Sequence, residues 1–231
     1  MQRRRFLSTL SIPLIAAGGL SLSTTAAAAV TPAELRSVSA WEDLFLTSWI
    51  DKGGWTEAKR RSTSGDSWLH YHLSYYLDAA ISMARATGNP DYYANAMELI
   101  ADVIDTSAVS STFPGSQFQD SYRGWVSQRA DTLNKEVPLF ESILWRYVLN
   151  AVRLEQEQPR LRRAFNGRRK AAASTTSILA FAEENMFTKW YERSPQNPTY
   201  QQEHHLYRSR THMASHWAYI SLGLLDLSSD S

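Results

Sequence analysis

The sequence predicts an all-α protein built from about three successive helical hairpins. Three observations carry this: apolar residues recur at helical spacing over long stretches, caps and stops fall at the ends of those stretches, and no useful run alternates with period two. Thr31-Pro32-Ala33-Glu34 is a helix start, with a hydroxyl cap, proline in the first turn and Glu34 three residues after the cap. Helix continues with breaks through Trp41, Leu44, Phe45 and Trp49 and stops at Gly53-Gly54. Asp66 caps a long helix from Ser67 to about Thr87. On a helical wheel Trp68, Leu69, His72, Leu73, Tyr76, Ala80, Met83 and Ala84 gather on one side, and His70, Ser74, Asp78, Ser82 and Arg85 on the other. Gly88 is a left-handed stop, and Asn89-Pro90 turns the chain into a second helix, from Asp91 to about Asp105, with Tyr93, Met97, Ile100 and Ile104 on its apolar stripe. A turn so short forces the two helices to pack antiparallel.

From Ser107 to Asn134 the periodicity fails, yet the stretch keeps Phe113, Phe118, Tyr122, Trp125 and Val126, which argues for an ordered functional loop. Helix resumes near Lys135 and runs through Leu139, Ile143, Trp145 and Val152, with Pro138 tolerated in the first turn. A further helix is expected from Pro159 to Tyr191, a loop around Asn197-Pro198, and a last helix from Tyr207 to Leu227.

The first 29 residues read as an address. Arg3, Arg4 and Arg5 precede an apolar stretch from Leu10 to Leu20, and Ala26 to Ala29 offer a small-residue cleavage site, the pattern of a secretory signal peptide. Arg3-Arg4-Arg5-Phe6-Leu7, an Arg-Arg-x-Phe-Leu pattern, also resembles the twin-arginine export signal. The mature domain is then expected to span residues 30–231, periplasmic or secreted, with no stable membrane insertion after signal removal.

Composition narrows the chemistry. The 231 residues are 43% hydrophobic, 12% aromatic and 20% charged, which excludes disorder and fibrous repeats. The absence of cysteine excludes disulfides, thiolate metal sites, iron–sulfur clusters and a cysteine nucleophile. Without the three leading arginines the chain carries 21 basic against 23 acidic side chains, so no nucleic-acid partner is expected.

Tyr75-Tyr76-Leu77-Asp78, Ala86-Thr87-Gly88-Asn89-Pro90-Asp91-Tyr92-Tyr93 and Ala96-Met97-Glu98-Leu99 together resemble the repeating hairpin of (α/α) toroid proteins. That superfamily includes many polysaccharide lyases, glycosidases and sugar epimerases. The resemblance covers Ser67 to Asp105 well and Arg208 to Leu225 less well, and it implies hairpins arranged around an axis with a carbohydrate cleft. The chain supplies about half the helices such a ring uses, so a partial toroid is expected. The polar end from Leu227 to Ser231 suits a truncated copy, and an open flank would favour self-association.

Four of the six histidines fall between His204 and His216, together with Tyr207, Arg208 and Arg210. Arg208, His212 and His216 are four apart and form one helical stripe. Histidine moves protons near neutral pH, arginine grips a carboxylate through paired hydrogen bonds, and tyrosine can act beside them. These are the parts needed for β-elimination from a uronic acid polymer. His212, Tyr207, Arg210 and His72 are therefore the candidate catalytic residues, and Trp68, Tyr76, Trp125, Arg208, His216 and Glu141 the candidate substrate-binding residues. Trp68, His72 and Tyr76 share one face, where aromatic rings can stack on pyranoses. Glu141, among Phe140, Ile143 and Leu144, is expected to have a raised pKa. Asp120, Tyr122, Arg123 and Trp125 are loop candidates for substrate contact. A glycoside hydrolase would draw on Asp78, Asp120, Glu136 and Glu141, and a non-catalytic glycan-binding scaffold is the remaining alternative. His212-x-x-x-His216 lacks the glutamate of zinc proteases, so neither metal nor cofactor is expected. The tract Arg160, Arg162, Arg163, Arg168, Arg169, Lys170 reads as a solvated helix face.

Overall fold

A computed structural model describes residues 37–116, 118–168 and 174–193, with residues 218 and 221. The described residues are mostly helical, with one small two-stranded sheet among them. The first helix, α1 (Val38–Leu46), is capped by the Ser37 hydroxyl, which accepts from the Ala40 amide, and it runs directly into a π-helical turn, Thr47–Asp51. After Gly53 comes α2 (Gly54–Ser62), a helix that periodicity did not reveal. Its three basic residues in the last turn suit the negative end of the helix dipole, and it buries only Ala58 and Ser62.

Helices α3 (Ser67–Thr87) and α4 (Pro90–Asp105) form the expected antiparallel hairpin. Gly88 closes α3 at φ 67°, a conformation that side chains with a Cβ resist, and its amide reaches back to the Ala84 carbonyl. The Asn89 side chain caps α4, and Pro90 occupies its first turn. The wheel placed one side of α3 incorrectly: His70 and Ser74, assigned to the polar side, are buried with Leu73, Leu77, Ala80 and Ile81. The stripe is rotated because the indole of Trp125 and the long loop cover the His70 edge of the helix, with His70 and Trp125 ring centroids 5.5 Å apart.

The loop after α4 pairs β1 (Ala108–Val109) antiparallel with β2 (Arg123–Gly124), Ala108 opposite Gly124. Asp66 joins this loop to α3: one carboxylate oxygen accepts from the Trp68 amide at 2.9 Å and from the Gln128 amide at 3.0 Å. Helix α5 (Pro138–Glu157) starts beside α3, and both end together, where Arg85 donates to Asn150 and Arg160 to the Gly88 carbonyl. The two helices are thus co-directional, with α4 and α6 (Leu161–Arg168) packed on each other behind them. The single helix expected from Pro159 to Tyr191 is broken. It becomes α6, then α7 (Thr175–Ala182), a π-helical stretch Glu183–Thr188 and α8 (Lys189–Arg193). Buried Glu155 ties four helices together, accepting from Tyr93 at 2.7 Å and Thr175 at 2.6 Å and pairing with Arg162. Among the described residues no helix is long and apolar enough to cross a membrane. The expected signal segment, residues 1–29, lies outside the described residues.

Candidate active site

The N-terminal turns of α3 and α5 meet at the loop end of the hairpins, where Phe140 lies 5.1 Å from Trp68 and 5.3 Å from Tyr71, centroid to centroid. On the outer side of this contact, α3 presents Trp68, His72, Tyr75 and Tyr76 at helical spacing. The His72 ring stands edge-on to Trp68 at 4.3 Å, and the Arg129 guanidinium lies over Trp68 at 4.4 Å. Partial burial and the positive charges of Arg61 and Arg129 push the His72 imidazole below its ordinary value of 6.5, so it is neutral at physiological pH. Tyr75 is 67% exposed, and Tyr76 is half-buried.

Arg61, from the unforeseen helix α2, completes this face. One of its terminal nitrogens is held by Glu57 at 2.8 Å, and the guanidinium lies 5.8 Å from the Tyr76 ring. Its Nε and Nη1 are enclosed by protein and have no acceptor. Buried donors left without a partner are uncommon in a folded protein. Sequence alone passed over Arg61 because it sits in a short, polar helix with no apolar stripe to mark it. The one available signal was the Arg60-Arg61 step at the end of Trp55 to Ser62.

On the inner side of Phe140 lies a buried acid–base network. Lys189, wholly enclosed, pairs with Glu141 at 2.6 Å and Glu136 at 3.3 Å and donates to the Arg123 carbonyl at 3.0 Å. Trp190 Nε1 donates to Glu141 at 2.5 Å, and Ser110 donates to Glu136 at 2.9 Å. Arg193 grips Asp120 through two nitrogens, at 2.6 and 2.9 Å, with the Phe118 ring 3.6 Å from its guanidinium carbon. Gly124 passes so close that a Cβ there would lie 2.4 Å from Glu136 Oε1 and 2.6 Å from Lys189 Nζ. Burial raises the Glu141 carboxyl above the ordinary carboxylate range, the direction read from its apolar neighbours, although the nearby Lys189 ammonium opposes it. Glu136 Oε2 and Glu141 Oε1 have no hydrogen-bond partner.

Three of the four carboxylates considered for hydrolysis therefore converge, while Asp78 stays on the exposed face of α3. The Lys189 ammonium fills the space between the two glutamates, and both are buried, so no sugar ring fits between them. Glu141 consequently holds helix α8 and does not touch substrate. Trp125 is also corrected: it is 1% exposed, and its indole N–H donates to the Val103 carbonyl at 2.9 Å and the Thr106 hydroxyl at 3.0 Å. A stretch without periodicity gave no sign that its tryptophan turns inward.

The other loop candidates have structural partners. Tyr122 donates to Glu192 at 2.6 Å, a bond that with burial pushes its phenol up to about 12, and Arg123 donates to the Ser107 carbonyl. The cleft beside Glu136, between Phe113, Phe118 and Asn134, measures about 10 Å³, one water's worth. Tyr207, Arg208, Arg210, His212 and His216 lie outside the described residues, as do His204 and His205. Among the described residues no cluster of three or more histidines and carboxylates is arranged to hold a metal ion. Comparisons with protein-family models, curated proteins and solved structures gave no match.

Proposed function

We propose that this chain is an exported carbohydrate-active enzyme of partial (α/α) toroid form that cleaves a uronic-acid polysaccharide by β-elimination. The observation that carries this reading is the His72 imidazole on an aromatic face, edge-on to Trp68, with the Arg61 and Arg129 guanidinium groups close enough to lower its pKa. Arg61 neutralises the sugar carboxylate, which acidifies the adjacent C5–H. His72 takes the C5 proton, the electron pair becomes the C4–C5 double bond, and the C4–O bond breaks. The leaving oxygen takes a proton from Tyr207, and Arg210 and His212 assist, in the roles that the sequence suggests. Trp68 and Tyr76 supply stacking faces for the ring. The co-directional pair α3 and α5, backed by α4 and α6, agrees with an inner and an outer layer of hairpins.

Incubation with alginate, pectin and glycosaminoglycans, followed by ultraviolet absorbance of the unsaturated sugar, tests the reading. A rise with one of them is expected, with H72Q abolishing it and R61K failing to restore KM because an ammonium has no planar fork. No rise with any uronate polymer, alongside reducing sugar released from neutral glycans, supports hydrolysis instead. Binding without turnover supports the scaffold.

A further inference from the structure

Beneath the long loop lies a titratable group that the proposed reaction does not use. His70 is wholly enclosed, and neither of its ring nitrogens has a hydrogen-bond partner. Ser67 Oγ, one turn earlier on the same edge of α3, is likewise buried without a partner. Trp125 covers this edge. Its ring stands at 90° to the imidazole, and its N–H is already given to the Val103 carbonyl and the Thr106 hydroxyl. The covering segment, residues 123–129, is joined to the start of α3 by the Ser67 amide, which donates to the Val126 carbonyl at 3.1 Å. It is joined again by the Asp66 carboxylate, which the Trp68 and Gln128 amides share. A neutral imidazole can be housed here. An imidazolium, with two N–H donors and a charge, would meet no acceptor.

We propose that His70 is an acid-operated latch: when it takes a proton from solvent, residues 123–129 and the first turn of α3 come away together and the imidazolium reaches water. The two pieces move as one because Asp66 bonds both. Opening draws Trp125 out of the core and lifts Arg129 off the face of Trp68, so the edge of the candidate site is taken apart. The direction in pH follows from the surroundings. Asp66 lies one turn before His70, and the packed elements carry Arg61 on α2, Asp102 on α4, Glu141 on α5, and Arg123 and Arg129 in the covering segment. None of these charges sets the proton affinity of the imidazole; burial alone pushes it down to about 3 from its ordinary 6.5. The closed form is therefore fully favoured above 6.5, and the open form gains as pH falls from there towards about 3.

Native-state hydrogen exchange on the full chain, from about pH 7 to about pH 4.5, tests the latch without substrate and so independently of the lyase reading. Protection factors, corrected for intrinsic exchange, should fall roughly tenfold per pH unit below 6.5 at the Ser67, Trp68 and Gln128 amides. Those of Met97 and Ile100 in α4 should hold. H70Q and H70M, neither of which titrates, should abolish the slope. D66N, which keeps His70, should lower protection of the segment at every pH and retain the slope. A flat wild-type profile overturns the latch, and so does a slope that survives in the folded His70 variants. A slope lost in D66N but kept in H70Q assigns the titration to Asp66 and also overturns it. Parallel loss of protection at Met97 and Ile100 means global acid unfolding and removes the local device.

Discussion

Lys189→Met measures how strongly the buried network fastens helix α8. The ammonium lies 2.6 Å from Glu141 and 3.3 Å from Glu136, and neither it nor the carboxylates meets solvent. At an effective dielectric near 20, the Glu141 contact alone is worth about 6 kcal/mol before desolvation is charged against it. Taking the ammonium away leaves two enclosed carboxyl groups close together, each already having one oxygen without a donor. The net loss should be about 3–5 kcal/mol near pH 7, much of the stability of an ordinary domain. The pH dependence has a definite sign. Glu141 sits above its ordinary value when folded, so protonation favours the native state and ionisation on raising pH costs stability. Removing Lys189 deletes the influence that opposes this rise, so the loss should shrink on going to about pH 5. Urea unfolding followed by tryptophan fluorescence at both pH values reads it. The double variant K189M/E141Q should recover roughly half the loss, because an uncharged amide no longer demands a cation. A loss under about 1 kcal/mol near neutrality, or one that is identical at both pH values, would refute the account.

Trp125→Phe should cost about 2–3 kcal/mol by thermal melt, since it deletes a donor to a buried carbonyl and leaves a void, while leaving the Kd for every glycan unchanged. Gly124→Ala should lower stability by a similar or larger amount, because its methyl would meet the Glu136 oxygen at 2.4 Å, and hydrogen exchange should quicken in residues 183–193. In the pH profile of kcat/KM, the acid limb should fall below 6.5, the ordinary histidine value, because His72 must be neutral to take a proton. Arg129→Gln should move that limb upward by removing one of the two charges that hold the imidazole neutral. An acid limb that R129Q leaves in place would separate His72 from the titration.

The α3–α4 hairpin was legible because its punctuation is local: Asp66, Gly88, Asn89 and Pro90 each act within a few residues of where they stand. Pro138 marked the start of α5 for the same reason. Helix α2 escaped because it buries two small residues and keeps its charges outward, so no apolar period marks it. The inward turn of His70 and Trp125 depends on which segment covers them, and a helical wheel contains no such information. Glu141 was legible as a carboxyl in apolar company, but Lys189 lies far along the chain in a stretch that reads as ordinary amphipathic helix. Of the proposed site, His72, Trp68 and Tyr76 could be named from spacing alone, whereas Arg61 joins them only through tertiary packing.

The double duty of Asp66 constrains how anything reaches the site. Because one oxygen serves both the first turn of α3 and the amide of Gln128, the segment following Trp125 cannot swing outward like a lid without unwinding the helix start beside Trp68. If the chain acts on a polymer as proposed, the edge beside Trp68 that meets it is already set when it arrives, and selection falls on the shape of the incoming chain.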